Sequence, residues 1–328
     1  MWSAVMPLCW ALAMALRVLG WQILLFNRAV YQRTVDAAVQ RWWGHRRLGL
    51  PVEQVLLLGP VGDEQTKYHG LMASVPAPAP KKPDGATQPM LRYPVSLGSA
   101  RERASVLARR LAQMTLELPD LTERWPQLRG IAWVGDEASQ NAYLQALANG
   151  GVVLPEARMP LGDLAELDTL IDAFHHDCRD EVDWVLCAGV VSVSSADEPE
   201  LPGEAGFLWL VSHQGRQLLH RGEYLLSESD ESPAELCDQI QRYAGLDAAP
   251  SDCLALDKIS QGAFVKGGWR SAEHQLSGHW GVLAQLAPFI GMSLALLQAR
   301  EAGQPCGWLS QDGNKRLAIG MAVPHGSD

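Results

Sequence analysis

The sequence lacks clustered positive charge. Of its 328 residues, 27 are lysine or arginine and 37 are aspartate or glutamate, which gives a formal net charge of −10 at pH 7. A protein that binds nucleic acid through its phosphates needs basic side chains gathered on one face, and the sequence after its first 50 residues has no such cluster. The composition therefore excludes a nucleic-acid partner.

Cysteine is scarce as well. The six cysteines form no CxxC pair, which excludes a zinc framework and a small disulfide scaffold. His175, His176, Asp177 and Cys178 have metal-binding side chains, but successive residues of a helix point about 100° apart and cannot converge on one ion. We expect reduced, buried thiols and no bound metal. The cysteines are Cys9, Cys178, Cys187, Cys237, Cys253 and Cys306.

Common catalytic motifs are missing too. The sequence contains no G-x-G-x-x-G before a helix, no G-x-x-x-x-G-K-[ST] loop and no G-x-S-x-G elbow. Glu181, Asp183 and the acidic tract 227–235 (SESDESPAE) are interpreted as solvated charge rather than as paired catalytic carboxylates. No cofactor and no enzyme site are predicted.

Tryptophan is abundant where phenylalanine is rare, with 12 of the first against five of the second. Five tryptophans fall within the first 43 residues, where indole rings favour a membrane interface. The other seven are expected to fill the core or to anchor a protein interface.

Arg17 is the only charged side chain in the first 26 residues, which are mostly apolar. A helix of this length can cross about 30 Å of hydrocarbon, although Arg17 would cost about 1–3 kcal/mol unless it snorkels or pairs. A signal peptide would need positive charge before the apolar run and a small-residue cleavage site after it, and neither is present. Residues 1–27 are therefore predicted to be a membrane helix. The alternative is an apolar helix buried in the core of a soluble protein.

A basic segment, residues 28–49, follows the apolar run. It has five arginines against one aspartate, Asp36, and such an excess tends to stay in the cytoplasm. We expect a protein held in the membrane through residues 1–26, with a cytoplasmic body. The arginines are Arg28, Arg33, Arg41, Arg46 and Arg47.

Residues 50–328 are predicted to form one α/β domain. Strand patterns at 50–60, 129–135 and 182–193 alternate with helical patterns, which lie at 99–116, 136–148 and 161–178. This alternation predicts a mainly parallel sheet with helices on both faces. The Pro- and Ala-rich residues 75–89 predict a flexible, exposed loop.

Four stretches carry a family resemblance: DWVLCAG at 183–189, GEAGFLWLV at 203–211, LSGHWGVLAQ at 276–285 and KRLAIGMAV at 315–323. The third is similar to the N-I-G-H-x-x-x-A-A-G step into a long apolar helix, and the others to neighbouring strands, of the β-ketoacyl synthases. Residues 161–328 thus resemble the second half of a thiolase-fold condensing enzyme. The resemblance implies a thiolase-like α/β fold, with mixed sheet layers covered by helices.

The resemblance also implies a catalytic site that this sequence does not preserve. Those enzymes use a cysteine thiolate at a helix N-terminus and two histidines. The place of the cysteine, residues 159–163, reads MPLGD, and the place of the first histidine, residues 256–262, has no histidine. Of the trio only His279 remains. It is expected to be a remnant that hydrogen-bonds a backbone group, while His274 and His279 are the candidates for a general base.

A scaffold that has lost its catalytic groups is best explained as a binding protein. The apolar N-terminus and the degenerate thiolase-like body also resemble the bacterial accessory proteins that escort lipase toxins into the type VI secretion system. This resemblance implies an adaptor or chaperone in the bacterial inner membrane, with a secreted toxin or spike protein as its partner. The thiolase-like folds further imply a homodimer by analogy.

The expected binding surface includes exposed tryptophan and the acidic tract. The alternative function is an acyl-chain or acyl-carrier-binding protein, or a residual acyltransferase of the ketosynthase type.

Overall fold

The computed structural model describes residues 5–82, 88–94, 102–119, 121–197, 199–226 and 232–325. The chain divides into two units, Met1–Arg46 and Arg47–Asp328.

The first unit is one long helix, α1 (Val5–Arg46). It continues through the apolar run into the arginine-rich segment, so residue 27 is not a helix end. Among the described residues it is the one helix long and apolar enough to cross a membrane, and none of its most apolar window is buried.

The second unit is an α/β body. Its described strands are β1 (Leu50–Leu58), β2 (Leu128–Val134), β3 (Arg158–Pro160), β4 (Trp184–Ser192), β5 (Glu204–Ser212), β6 (Gln217–Leu219), β7 (Glu223–Leu225), β8 (Asp252–Ala255), β9 (Cys306–Gln311) and β10 (Leu317–Pro324). Its described helices are α2 (Arg103–Leu116), α3 (Leu121–Arg124), α4 (Glu137–Asn149), α5 (Leu164–Asp177), α6 (Pro233–Tyr243), α7 (Lys258–Phe264), α8 (Ser277–Trp280) and α9 (Ala287–Ala302).

The strands form one mixed sheet in the order β3-β2-β4-β5-β1-β6-β10-β9-β8, with β7 beside β10. Of the nine pairings between described strands, three are parallel and six antiparallel. The prediction of a mainly parallel sheet is therefore wrong, although helices do cover both faces. The reason is that β5 and β10 follow β4 and β9 with no described helix between them. Each runs back along its predecessor and is antiparallel to both neighbours.

The two halves of the body have the same topology. Counted from the outside inward, β2-β4-β5-β1 and β8-β9-β10-β6 have the same order and the same parallel and antiparallel relations. Strand β3 has no counterpart among the described residues, and one bridge between Ala255 and Gln275 lies in its place. The first half, which resembles the condensing enzymes in sequence only by its alternation of elements, thus repeats the architecture of the second.

Strand alternation divides the core between two faces. In β1, Val55 and Leu57 join one cluster and Leu56 joins the other, as the period of two in a strand requires. Helices α5 and α9 belong to the first cluster, which also contains Leu254 and Trp308 of the second half. The helices α2 and α4 pack on the other face of the first half. Helices α5 and α9 therefore form a central layer that both halves share.

Helix α9 is the most buried element of this layer, with 12 of its 16 residues buried. The apolar helix predicted through Phe289, Met292, Leu296 and Leu297 is thus present. Each buried large aliphatic or aromatic side chain contributes about 1.5–3 kcal/mol of transfer free energy, so this helix stabilises the joint between the halves.

Residues 75–89 are only partly described. Residues 83–87 lie outside the described part of the chain, so the structure does not test the predicted flexibility of this part of the loop. On either side of them, Lys81 and Met90 exchange two backbone hydrogen bonds of 2.9 Å.

The tryptophans of the body lie inside it. Six of the seven are buried and Trp125 is half-buried, so the expectation of an exposed-tryptophan surface on the body is wrong. Among the described residues, the exposed indoles are those of Trp10, Trp21 and Trp42 of α1. The buried rings fit because glycines leave room for them, as where a Cβ on Gly320 would lie 2.4 Å from the ring of Trp308.

Candidate functional site

The place implied for the catalytic cysteine is the N-terminus of helix α5, where the chain leaves strand β3. A cavity of about 460 Å³ opens at this point. Four segments line it: the start of α5, Tyr224 of β7, residues 284–285 ahead of α9, and the turn 312–316 between β9 and β10. The fold therefore assembles a site here from both halves of the body.

Asp163 closes the N-terminus of α5. Its carboxylate accepts hydrogen bonds from the backbone N–H groups of Ala165 at 2.9 Å and Glu166 at 3.1 Å. These are the free donors that, with the helix dipole, would stabilise a thiolate or an oxyanion. In this chain they are satisfied internally, and no thiol stands beside them.

Arg316 fixes the floor of the cavity. Its Nε and a terminal nitrogen lie 2.8 Å from Asp312 Oδ2, a terminal nitrogen lies 3.5 Å from Asp163 Oδ2, and its guanidinium stacks 3.8 Å from the ring centre of Tyr224. Partial burial opposes the charge, but the hydrogen bond to Asp312 and the nearby negative groups outweigh burial and raise the pKa of Arg316. Burial raises the pKa of Tyr224 to about 12. The charged groups of this network are paired with one another, and the hydroxyl of Tyr224 stays protonated at neutral pH.

Gln285, in the segment before α9, lines this cavity together with Ala284. The preceding Ala284 has a left-handed backbone, with φ at 48°. A Cβ on Gly313 would lie 3.1 Å from the backbone nitrogen of Gln285, so the two loops are in close contact.

His279 lies elsewhere. It belongs to the short helix α8, its Nε2 is 2.9 Å from the carbonyl oxygen of Val75, and it does not line the cavity. The stretch 276–285 contains α8, Gly281 and the start of a 3-10 turn (Ala284–Leu286), and α9 begins at Ala287 directly after that turn. His274 lies in another 3-10 turn and is also outside the cavity lining.

Residues 256–262, the place implied for the first histidine, contain another helix cap. Asp257 ends the connection from β8 and accepts hydrogen bonds from the backbone N–H of Ser260 at 2.7 Å and of Gln311 at 2.8 Å. Asp136 caps α4 in the same way, 2.6 Å from the backbone nitrogen of Ser139. The repeated D-x-x-S caps mark equivalent positions of the two halves.

The sequence analysis locates Asp163 but not its capping role, places Arg316 only in a strand motif, and does not single out Tyr224 or Asp312. A signal for Asp163 was available, because an aspartate three residues before Glu166 at the start of an apolar-periodic stretch is a helix-start pattern. The other three come from distant segments and have no local signature.

The remaining candidates are structural. His175 Nε2 lies 2.8 Å from the carbonyl oxygen of Gly49, and His176 contacts Asp177 at 2.5 Å. Burial raises the pKa of Cys178 to about 11, so this thiol is not a nucleophile at neutral pH. Among the described residues no group of three or more His, Cys, Asp or Glu side chains could hold a metal ion.

The interpretation of Asp183 as solvated charge is wrong. This residue is 2% exposed and pairs with Arg129 at 2.6 Å, because an unpaired carboxylate could not be buried at this depth. Glu181 is exposed. Residues 227–231 of the acidic tract lie outside the described residues.

No protein-family model and no curated sequence matches the chain, but solved structures do. The ishigamide ketosynthase/chain length factor superposes with a TM-score of 0.58 at 14% identity, covering 85% of this chain and 100% of that one. A ketosynthase from module 1 of the bacillaene synthase of Bacillus amyloliquefaciens FZB42 has a TM-score of 0.58 at 9% identity, covering 87% and 77%. A monomeric SCP2-thiolase-like protein from Mycobacterium smegmatis has a TM-score of 0.51 at 11% identity, covering 86% and 80%.

These likenesses extend over both halves of the body, in agreement with the repeated topology. At such low identity they concern the fold and not the chemistry. The chain has a thiolase-like mixed α/β fold, preceded by one long apolar helix.

Proposed function

We propose that this protein is a non-catalytic member of the thiolase-like folds, anchored in a membrane by α1, and that its body binds another protein as an adaptor or chaperone. In its finer form, the proposal is that the partner is a secreted toxin of the bacterial type VI secretion system. The observation that carries the non-catalytic part is the occupation of the α5 N-terminus by the carboxylate of Asp163.

This occupation matters because catalysis of acyl transfer at that position needs free donors aimed at developing negative charge. A carboxylate already bonded to those donors repels a second anion and supplies no acyl acceptor of thiol type. A substrate anion that displaced the Asp163 carboxylate would also remove a helix cap, which contributes about 1 kcal/mol to stability.

A binding role is supported by what the chain retains. The body keeps a large buried core shared by its two repeated halves. A chain without acyl chemistry would keep such a scaffold for binding. The long helix α1 and its arginine-rich continuation support attachment at a membrane surface with the body on the cytoplasmic side.

The experiment is native mass spectrometry of the full chain purified from membranes, combined with an assay of acyl transfer from acetyl-CoA and malonyl-CoA. The expected result is a complex with one defined protein partner, no bound fatty acyl group and no turnover. His279→Ala should leave the complex intact, since the hydrogen bond that this ring makes is to the backbone carbonyl of Val75, away from the α5 cavity.

A bound fatty acyl group without a protein partner would instead support the acyl-binding alternative. Turnover that His279→Ala abolishes would show that the chain is an acyltransferase.

A further inference from the structure

Arg17 lies near the middle of the apolar stretch of α1. The described part of this stretch, residues 5–26, is about 33 Å long at 1.5 Å per residue and so matches the roughly 30 Å of hydrocarbon in a bilayer. Phe26 follows Arg17 by nine residues, which places the Cα of Arg17 about 14 Å from the nearer end of the stretch. An arginine side chain spans only about half that distance, so Arg17 cannot reach water or a lipid headgroup by snorkelling.

The chain itself supplies no counter-charge to Arg17 at this depth. The side chain of Arg17 is exposed, and none of the described residues forms an ion pair with it. The first acidic residue of the sequence is Asp36, which lies 19 residues further on and about 28 Å away along the helix axis. A charged side chain in hydrocarbon is costly unless it is paired, so Arg17 needs a carboxylate from another molecule.

A groove of about 550 Å³ runs along the side of α1 that carries Arg17, and we call it the Arg17 groove. Gly20 lies one turn after Arg17 in this groove, and a Cβ on Gly20 would meet nothing within 4 Å. Packing among the described residues therefore does not require a glycine here, whereas small residues of membrane helices let a second helix approach closely. The groove is lined by Met14, Arg17, Val18, Gly20, Trp21 and Leu24.

A second copy of this chain does not complement the Arg17 groove. Residues 1–35 contain no aspartate or glutamate, so a second α1 would bring another Arg17 and no carboxylate into the same layer of hydrocarbon. Two guanidinium groups at that depth repel each other. A helix of another protein with an aspartate or glutamate at this depth supplies the opposite charge, and a carboxylate can accept two parallel hydrogen bonds from one guanidinium.

We infer that the Arg17 groove binds a membrane-spanning helix of another protein, which places a carboxylate against Arg17 and packs its backbone against Gly20. The inference goes beyond the proposed function, and it rests on that part of it in which α1 anchors the chain in a membrane. Helix α1 is then a docking helix as well as an anchor.

The probe is a synthetic membrane-spanning helix of about 20 leucine and alanine residues with one central glutamate and lysines at both ends. Its matched control has glutamine in place of the glutamate. Both peptides carry an acceptor dye, and the full chain carries a donor dye on Cys9, the one exposed cysteine among the described residues. Energy transfer is measured in phosphatidylcholine vesicles at pH 8. The glutamate peptide should bind at least tenfold more tightly than the glutamine peptide.

Substitutions in α1 test the two contacts separately. Arg17→Leu should remove the preference for glutamate, and Arg17→Lys, which keeps a charge, should retain part of it. Gly20→Leu fills the groove and should weaken binding of the glutamate peptide at least tenfold. The matched control is Ala15→Leu, because Ala15 lies outside the groove and about 200° around the helix from Arg17, and it should leave the affinity unchanged.

Equal binding of the two peptides by the unmodified chain, or a preference for glutamate that Arg17→Leu preserves, would overturn the inference. Energy transfer between donor-labelled and acceptor-labelled copies of the chain that Arg17→Leu strengthens would also overturn it, because the groove then takes a second copy. Ultracentrifugation separates these outcomes from a failure of the proposed function. A chain that pellets with membranes but does not distinguish the peptides leaves the proposed anchor standing, whereas a chain that stays soluble without detergent overturns both.

Discussion

At the scale of single residues, the body is stabilised by buried indole rings that lie against glycines. Trp308 is fully buried on β9, and its ring faces Gly222 and Gly320 at distances that leave no room for a side chain. Trp269 has the same relation to Gly307, and Trp280 to Gly59. These pairs explain why a chain with 12 tryptophans exposes so few of them on its body.

Gly320→Ala tests this packing. The new Cβ would lie 2.4 Å from the ring of the fully buried Trp308, so we expect a loss of about 1–3 kcal/mol in the free energy of unfolding. The control is Gly262→Ala in α7, where the new Cβ meets nothing within 4 Å and should add about 0.5–1 kcal/mol of stability. Urea denaturation of the full chain measures both. Equal effects of the two substitutions would contradict the packing argument.

At the scale of secondary structure, the start of α5 determines which backbone donors face the cavity beside it. Two of its first-turn donors are bound by the carboxylate of Asp163, and Arg316 holds Asp163 from the other half of the body. The helix end is thus a structural joint between halves.

Asp163→Ala should therefore destabilise the protein by about 1 kcal/mol or somewhat more, because it removes the cap and one partner of Arg316. Asp163→Asn keeps a capping oxygen and should cost less. Chemical denaturation in detergent measures the difference. An Asp163→Ala variant as stable as the unmodified chain would mean that the carboxylate does not hold this joint.

Sequence patterns predicted most of these helices and strands, but not how the strands pair or which distant segments meet. The apolar run at β1 and the helical period before Asp177 are local signals, and both elements are present within a few residues of the predicted bounds. The reversal of β5 and β10 depends on which strands they lie between, which no local pattern encodes. The same limit applies to the α5 site: the motif around His279 could be recognised, but only the fold shows that Gln285 and Arg316 reach the cavity.

At the scale of the whole molecule, the body and α1 differ in where their apolar side chains lie. The body has its own core, in which both halves contribute to one cluster around α5 and α9. The helix α1 instead exposes a run of large apolar side chains, among them Leu12, Ile23 and Phe26, each more than half exposed. Such a surface is stable in lipid and prone to aggregate in water.

Deletion of residues 1–26 should therefore move the protein from the membrane fraction to the soluble fraction without unfolding it. The buried residues of the body's core all lie at or beyond Leu50, so its melting temperature should stay unchanged. Arg17 lies within the deleted run, and Arg17→Leu in the full chain should strengthen membrane retention, because it removes a charge that costs about 1–3 kcal/mol in hydrocarbon. Ultracentrifugation after a carbonate wash, with circular dichroism melting of the truncated chain, tests both changes. A full chain that stays soluble without detergent, or a truncated body that melts at a lower temperature, would place the apolar helix in the core of the protein instead of a membrane.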